Sequence, residues 1–577
     1  MPRARSGVVG TTCLNHPSPP VVDRNRVHHN DQAPDLGAAE AYKMTHRILV
    51  LEEVDPKGVD LLRSREEFQV NVQTELSREE LVAAVGDYDA LVVGSDTVVD
   101  KVLLRAAPQL KAIGIAGAEV SNVDVPEATR AGIAVLSAPD GTAVATAEHT
   151  IAVLMALHRH IPQATASMKE GKWEKKKFQG REMAGRTLGV IGLGRVGKVV
   201  SQLASRGLRM NVLVYSPHAT VETAAHAGAK LVTLDRLFAQ SDAITIHAPL
   251  NRETKGLLDA RAFDQMRPGV LIVNCAAAEI VNERALLEAL DTGKVSGAAI
   301  DVFPMEPASD DPLAMHPRVI ATPHLGGSTA EADRNLALAV AEQLIDYLEE
   351  GIARGAVNLP AVEAPERSRM RPYLDLARRL AAVLAWLAPA AVTAMEVEYR
   401  GEVATWNLQP MTNAALVGLL TRFEGPDVNE VNAPVIAKER GIRVSQTTFK
   451  AGLDYASSIA IGMRFSDGSS RTLEGALVQR VGFEPRIIGI DRFITEAVPA
   501  GPMLVVTNRD IPGMIAGMTT VLANRGINIA QMNLSRQSVH GMALSIINLD
   551  EPADEAALAE IRSIEGILSV QQVILDQ

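Results

Sequence analysis

Two side chains in this sequence are suited to moving a proton near neutral pH: His324, in VIATPHLGGST, and Glu306, in AAIDVFPMEP. An imidazole is the natural proton carrier for an alcohol–ketone interconversion. A carboxylate beside it would orient the ring and raise its pKa. Taken alone, the pair reads equally well as a loop histidine and a solvated acid. A third segment, VNCAAAEIVNE over 273–283, reads as the end of a buried strand, a short loop and a helix start at Asn282. Such loops at the carboxyl ends of strands are where open α/β sheets bind ligands. This one offers Ala276, Ala277 and Ala278, then Glu279, where an anionic ligand would need a cation.

A glycine pattern supplies the second kind of chemistry. Gly192-Leu-Gly194-Arg195-Val196-Gly197 follows the strand-like TLGVI and opens a helix. G-x-G-x-x-G alone is a weak signal; between strand and helix it predicts dinucleotide binding. Gly192 would permit the turn, Gly194 the approach of a pyrophosphate, and Gly197 close packing of helix on strand. The helix N-terminus adds free N–H groups and a partial positive charge. The next strand, NVLVY, should end in an acid for the adenosine ribose, yet Ser216 stands there. NAD is the expected cofactor, with NADP left open by that serine.

The elements that must hold these groups alternate strand and helix from Met44 to about residue 330, the pattern of parallel sheets and βαβ units. After Pro360 the pattern changes. One amphipathic helix, Pro372 to Leu387, is expected among strand-like MEVEYRG and SIAIGMRF. From Gly501-Pro502 the order βαββαβ is ferredoxin-like. The expected organisation is a substrate-binding lobe from 44–144 plus 331–360, a nucleotide-binding lobe over 145–330, an α+β intervening domain over 361–500 and a ferredoxin-like domain over 501–577. Both lobes are expected to be Rossmann-like α/β. Residues 1–43 have no apolar periodicity and no apolar core of a signal peptide; a disordered extension is expected, or a misassigned start with Met44 as the true one.

The length, 577 residues, requires several cores. A net charge of −12 argues against nucleic acid and anionic membranes as partners. No segment approaches the ~20 apolar residues of a membrane span. Two cysteines, Cys13 and Cys275, fit a reducing, cytoplasmic setting.

GLGRVG, GKWEKKKFQGRE before it, DVFPMEP and TPHLGGST closely resemble the D-2-hydroxyacid dehydrogenases. Within them the likeness is to the D-3-phosphoglycerate dehydrogenases, in the long form with an intervening domain and a C-terminal ACT domain. The resemblance covers nearly all of Met44 to Gln577. It implies NAD-dependent oxidation of 3-phosphoglycerate to 3-phosphohydroxypyruvate in serine synthesis, by a homodimer or homotetramer. It makes His324 the acid/base with Glu306 as its partner. It sets Asp301 near the nicotinamide, and His247 and Pro249 in the nicotinamide pocket. Trp173 and lysines 175–177 would lie near a dimer interface. Asp510 and Asn528, with Asn508 close by, match positions that bind the effector L-serine.

The chain also departs from this pattern. The family loop reads N-x-A-R-G-G, so Ala277 takes the place of the arginine that grips the substrate carboxylate. Gly94 stands where relatives often carry a phosphate-binding arginine. The loops holding Asn122 and Ser137, also expected to face substrate, differ from G-V-G-V-D-N-V-D and N-A-P-x-G-N. These departures are expected to meet at one cleft. They set beside the enzyme a second expectation, a catalytically impaired paralogue acting as a regulatory or structural, serine-sensing subunit. A dehydrogenase for another 2-hydroxy acid is the third.

Overall fold

The computed structural model describes residues 45–575, apart from 118–119, 361–363, 451–454 and 480–482. The expected extension over 1–43 and Glu119 lie outside the described residues. Short runs of β-branched and aliphatic residues form the first sheet: β1 (His46–Val50), β2 (Phe68–Val72), β3 (Ala90–Val93), β4 (Ala112–Ile115) and β5 (Ala134–Ser137). They are parallel, in the order β2-β1-β3-β4-β5. Every residue of β3, β4 and β5 is buried, as strands covered by helices on both faces must be.

Thr142 starts the Ala143–Arg159 helix, which leaves this lobe and packs Leu154 and Leu157 beneath a second sheet. That sheet comprises β6 (Thr187–Ile191), β7 (Asn211–Tyr215), β8 (Lys230–Leu231), β9 (Ala243–Ile246), β10 (Val270–Asn274), β11 (Val295–Ile300) and β12 (Val319–Ala321). Its strands are parallel in the order β12-β11-β10-β9-β6-β7-β8. The Ala330–Glu350 helix then returns the chain to the first lobe, where Leu336, Val340 and Leu344 pack against Ile48, Val50 and Ala112. Strand order reverses between β1 and β3 in one sheet and between β6 and β9 in the other, opening a crevice above each carboxyl edge.

The next region contains more helix than expected. It has helices Ala364–Trp386, Gln409–Glu424 and Ala433–Glu439 against a six-stranded sheet. The expected start at Pro372 is corrected: the helix begins at Ala364 and Pro372 lies inside it. Met370, only 2% exposed, lies upstream of the proline and rewards the additional turns. Gln409–Glu424 was illegible because Met411, Thr412, Asn413, Ala414, Ala415 and Leu416 are all buried, leaving no polar face to read. The sheet runs β14-β13-β15-β16-β17-β18, from β13 (Val392–Gly401), β14 (Arg443–Phe449), β15 (Ser457–Phe465), β16 (Ser470–Gln479), β17 (Phe483–Ile490) and β18 (Phe493–Ala497).

The C-terminal unit has the expected βαββαβ order. Strands β19 (Pro502–Arg509), β20 (Ile529–Arg536), β21 (Met542–Leu549) and β22 (Ile567–Ile574) form an antiparallel sheet ordered β20-β21-β19-β22. Helices Met514–Asn524 and Glu555–Ser563 complete it.

Candidate active site

At the β6/β9 reversal the three glycines do separate jobs. Gly192 has φ +96°, and a Cβ there would lie 2.4 Å from the His247 carbonyl oxygen. A Cβ on Gly197 would lie 2.1 Å from the Gly192 carbonyl oxygen, so helix and strand meet only without side chains. Gly194 faces open space, with nothing within 4 Å of where its Cβ would be. It caps the Arg195–Gln202 helix without any side-chain hydrogen bond, leaving the first turn to receive an anion. Val196 lies in that turn, and the Arg195 guanidinium pairs with Asp140 from the loop after β5. This cradle, which a side chain at Gly194 would fill, fits the pyrophosphate of a dinucleotide. Ser216, half-buried, follows β7 beside the Gly192 turn, whose N–H donates to the Tyr215 carbonyl over 2.8 Å.

His247 follows β9 and is fully enclosed; burial pushes its pKa down to about 3. Its ring is therefore neutral, with Nε2 2.9 Å from the Thr245 hydroxyl and Nδ1 buried without a partner among the described residues. Pro249 accepts from the Thr254 hydroxyl over 2.6 Å, which fixes the following turn.

The pair expected to transfer a proton stands at the far strands. His324 Nδ1 lies 3.0 Å from Glu306 Oε2, and both side chains are about two-fifths exposed, at 43% and 40%. The Phe303 N–H donates to Glu306 Oε1 over 3.1 Å and aims the carboxylate. With Nδ1 engaged, Nε2 is the nitrogen free to exchange a proton with a ligand. The histidine sits at φ +52°, a left-handed conformation that costs a non-glycine residue about 1–2 kcal/mol.

Asp301, 1% exposed at the end of β11, secures that conformation. Its backbone carbonyl accepts the His324 N–H over 3.0 Å. Its carboxylate accepts from Thr322 Oγ1 at 2.6 Å, the Leu325 N–H at 2.8 Å and the Gly326 N–H at 2.8 Å. Burial alone would raise Asp301, but hydrogen bonds from His149, Thr322, Leu325 and Gly326 outweigh it and hold the carboxyl at about 2. Cys275 lies close by, its thiol pushed up to about 12 by burial.

The loops expected to face substrate, one after β10 in this same sheet and the others on the first sheet, hold no cation. The loop after β10 is locked by its own asparagine: Asn274 Oδ1 accepts the Ala276 N–H at 3.1 Å and Nδ2 donates to the Ala277 carbonyl at 2.9 Å. Ala276 and Ala277 pack partly buried against the core around Leu258 and Ile280. Glu279 is exposed. Past β3, a Cβ on Gly94 would lie 1.9 Å from Glu52 Oε2. Glu52 itself takes the N–H groups of Asp96 and Thr97, at 3.1 and 2.7 Å. Asn122 Nδ2 donates to the Gly94 and Thr97 carbonyls, each at 2.7 Å. Ser137 is buried, its N–H 3.0 Å from the Gly355 carbonyl. No lysine or arginine occurs in 94–97, 137–142 or 274–279.

The residues anticipated from sequence thus collect on two carboxyl edges that meet. Asp140 reaches Arg195, Thr142 packs under Gly327, and His149 reaches Asp301. The ACT-like residues do not collect within one chain. Asp510 is bound at the start of β21, by the His540 N–H at 3.1 Å, whereas Asn528 pairs with Asp550 beyond its end, at 2.6 Å. Asn508, 2% exposed, turns its Nδ2 to the Arg509 carbonyl. Sequence reasoning missed Glu52, His149 and Thr322, and placed Asp140 in a loop at the cleft without giving it a role. Only Thr322 carried a signal, two residues before His324; His149 sits in a helix with no motif around it.

Known proteins match this architecture in each part. Residues 151–326 match the family model of the NAD binding domain of D-isomer specific 2-hydroxyacid dehydrogenases. Residues 369–491 match the D-3-phosphoglycerate dehydrogenase intervening domain, and 503–566 the ACT domain. The D-3-phosphoglycerate dehydrogenase of Synechocystis is 40% identical over 544 residues, 94% of this chain and 97% of its own. That of Archaeoglobus fulgidus is 39% identical over 532 residues, 92% of this chain and 100% of its own. A solved glyoxylate reductase from Paecilomyes thermophila aligns with 54% of this chain and 98% of its own, at 29% identity and a TM-score of 0.49. With a dinucleotide cradle, a histidine–glutamate pair and both C-terminal modules in one order, this chain belongs to the D-3-phosphoglycerate dehydrogenase family of D-isomer specific 2-hydroxyacid dehydrogenases.

Proposed function

We propose that the chain is an NAD-dependent oxidoreductase that oxidises the C2 hydroxyl of 3-phosphoglycerate to the ketone of 3-phosphohydroxypyruvate. The observation that carries this reading is the 3.0 Å contact between His324 Nδ1 and Glu306. His324 Nε2 takes the hydroxyl proton, and Glu306 accepts the Nδ1 hydrogen and stabilises the imidazolium that forms. NAD, when bound, supplies the hydride acceptor. Gly192, Gly194, Arg195, Val196 and Gly197 would hold its pyrophosphate, Ser216 its ribose, and His247, Pro249 and Asp301 would border its nicotinamide. Asp301 stays ionised through the reaction and keeps the His324 loop in register.

A second reading has its own support, in Ala277 and in the Glu52 carboxylate against Gly94. Losing one partner of a desolvated charge pair costs ~2–5 kcal/mol, roughly 30- to 3,000-fold in kcat/KM. On that reading the chain is a slow or silent regulatory subunit. The deciding experiment measures NAD-linked turnover of 3-phosphoglycerate by this chain and by an Ala277→Arg, Ala278→Gly, Glu279→Gly variant. Turnover at a relative's rate without the changes rejects the impaired-site reading. Rescue by the variant supports it, and silence in both implicates Gly94 and Ser137 as well.

The ACT module fits a small effector, and L-serine is the effector we propose. β21 spans eight residues, roughly 25 Å, so Asp510 and Asn528 of one chain cannot share a ligand. A two-fold pairing of ACT sheets sets opposite ends side by side, and would bring Asp510 of one protomer to Asn528 of the next. That arrangement requires at least a homodimer. Calorimetry with L-serine tests it; no binding would reject the effector role. The cytoplasm is the compartment we propose; among the described residues no helix is long and apolar enough to cross a membrane.

A further inference from the structure

The Ala143–Arg159 helix starts in the loop after β5 of one lobe and runs under the sheet of the other. It places His149 against the support of the proton-transfer residue. His149 Nε2 is 3.3 Å from Asp301 Oδ1 and 3.3 Å from Thr322 Oγ1. The Thr322 hydroxyl already donates its hydrogen to Asp301 over 2.6 Å. Its oxygen and the carboxylate are therefore both acceptors towards His149, and the hydrogen belongs on Nε2, shared between them. Asp301 in turn binds the N–H groups of Leu325 and Gly326, the two residues after His324. Thr322 and Asp301 both accept the His324 N–H through their carbonyls, each at 3.0 Å. The same helix closes on the loop from the other side: a Cβ on Gly326 would lie 3.4 Å from Thr146, and one on Gly327 3.1 Å from Thr142.

We propose that His149 is a positioning residue, which fastens the lobe-bridging helix to Asp301 and Thr322 and so holds His324 in its left-handed, proton-accepting pose. The linkage has a purpose in this fold. Proton transfer needs His324 in the second lobe aligned with a hydroxyl group held by the first. One helix that begins at the first lobe's substrate edge and grips the histidine's loop makes the two move together. Local strain persists only where its surroundings over-determine it, and His149 is the part of those surroundings contributed by the bridging helix. Asp301 keeps three other donors when His149 is removed, so the variants are expected to fold.

The inference rests on the dehydrogenase reading, and the test separates the two. His149→Ala and His149→Gln are compared with the unmodified full chain, in the Ala277→Arg, Ala278→Gly, Glu279→Gly background if the natural loop gives no turnover. Misplacement by about 1 Å costs on the order of 100-fold, so His149→Ala should lower kcat by roughly 10- to 100-fold. KM for the hydroxy acid and the NADH Kd should stay within about twofold. His149→Gln keeps an N–H donor at similar reach and should recover most of kcat. An unchanged kcat in His149→Ala, a loss carried by KM, or a glutamine variant as damaged as the alanine would overturn the proposal. A readout free of turnover is amide hydrogen exchange over 322–327. Leu325 and Gly326 should exchange roughly 10-fold faster in His149→Ala and not in His149→Gln. Unchanged exchange overturns the positioning role even if the chain proves not to be an enzyme. Loss of turnover in every background, with exchange altered as expected, removes the dehydrogenase reading and leaves the coupling standing.

Discussion

The glycine turn after β6 and the loops expected to meet substrate, after β3 and β10, are built on different principles. At the proposed nucleotide turn the shape is made by backbone: the Gly192 turn, the gap at Gly194 and the uncapped first turn after it. These are features the fold itself needs, since Gly197 must also let helix and strand touch. In the loops after β3 and β10, which lie on different sheets, recognition of an anion would depend on side chains that no core requires. Ala276 and Ala277 pack quietly against apolar neighbours, and the N–H groups of Asp96 and Thr97 are consumed by Glu52. A binding function carried by backbone is preserved with the fold. One carried by surface side chains can vanish at no cost to stability.

The largest effect should come from the proton-transfer pair. In a background that turns over, Glu306→Gln should lower kcat by roughly 10²- to 10⁴-fold while NADH affinity stays unchanged; a loss below about tenfold would detach Glu306 from the chemistry. Next, Gly192→Ala drives a methyl group into the His247 carbonyl at a positive φ. NADH fluorescence titration should show affinity weaker by on the order of 100-fold, and a change under about threefold would break the account of the nucleotide turn. A smaller effect sharpens the account of the loops expected to meet substrate. Gly94→Arg alone should not improve KM for 3-phosphoglycerate, because Glu52 occupies the path; combined with Glu52→Ala it should improve it by roughly tenfold.

An effect of a different kind, on stability rather than on binding or turnover, concerns acid. Unfolded, the His247 ring takes a proton near the ordinary histidine value of 6.5; folded, burial delays this to about 3. Between those values the unfolded chain binds more protons, so stability falls as pH falls, by at most about 1.4 kcal/mol per pH unit for this group. Urea midpoints measured from pH 6 to pH 4 should fall less steeply in His247→Gln. Identical slopes would mean that His247 is not buried neutral.

Much of this was legible from local pattern. The helix start expected at Asn282 is the start of Glu283–Asp291, which Asn282 caps through the Ala285 N–H at 3.0 Å, and the βαββαβ order after Gly501 is present. The glycine turn, His324 and Glu306 were legible too, because each sits in a short segment whose residue types do one thing. The Gln409–Glu424 helix was not, since a helix buried all round lacks a period. Glu52 and His149 were not, because a single acid after a strand and a single histidine in a helix look like any others.

By itself the sequence determined the succession of parallel sheets, the dinucleotide turn, the ACT order and the absence of a cation at Ala277. These depend on residue type and spacing over a few turns of chain. Only the tertiary structure decided what the separated residues do to one another. It brings Glu52 to Gly94 and Asp140 to Arg195, and it sets His149 from the bridging helix beneath the loop of His324. Those contacts join segments about 40 to 175 residues apart, and strand order and helix crossing, which no local pattern encodes, are what close the distance.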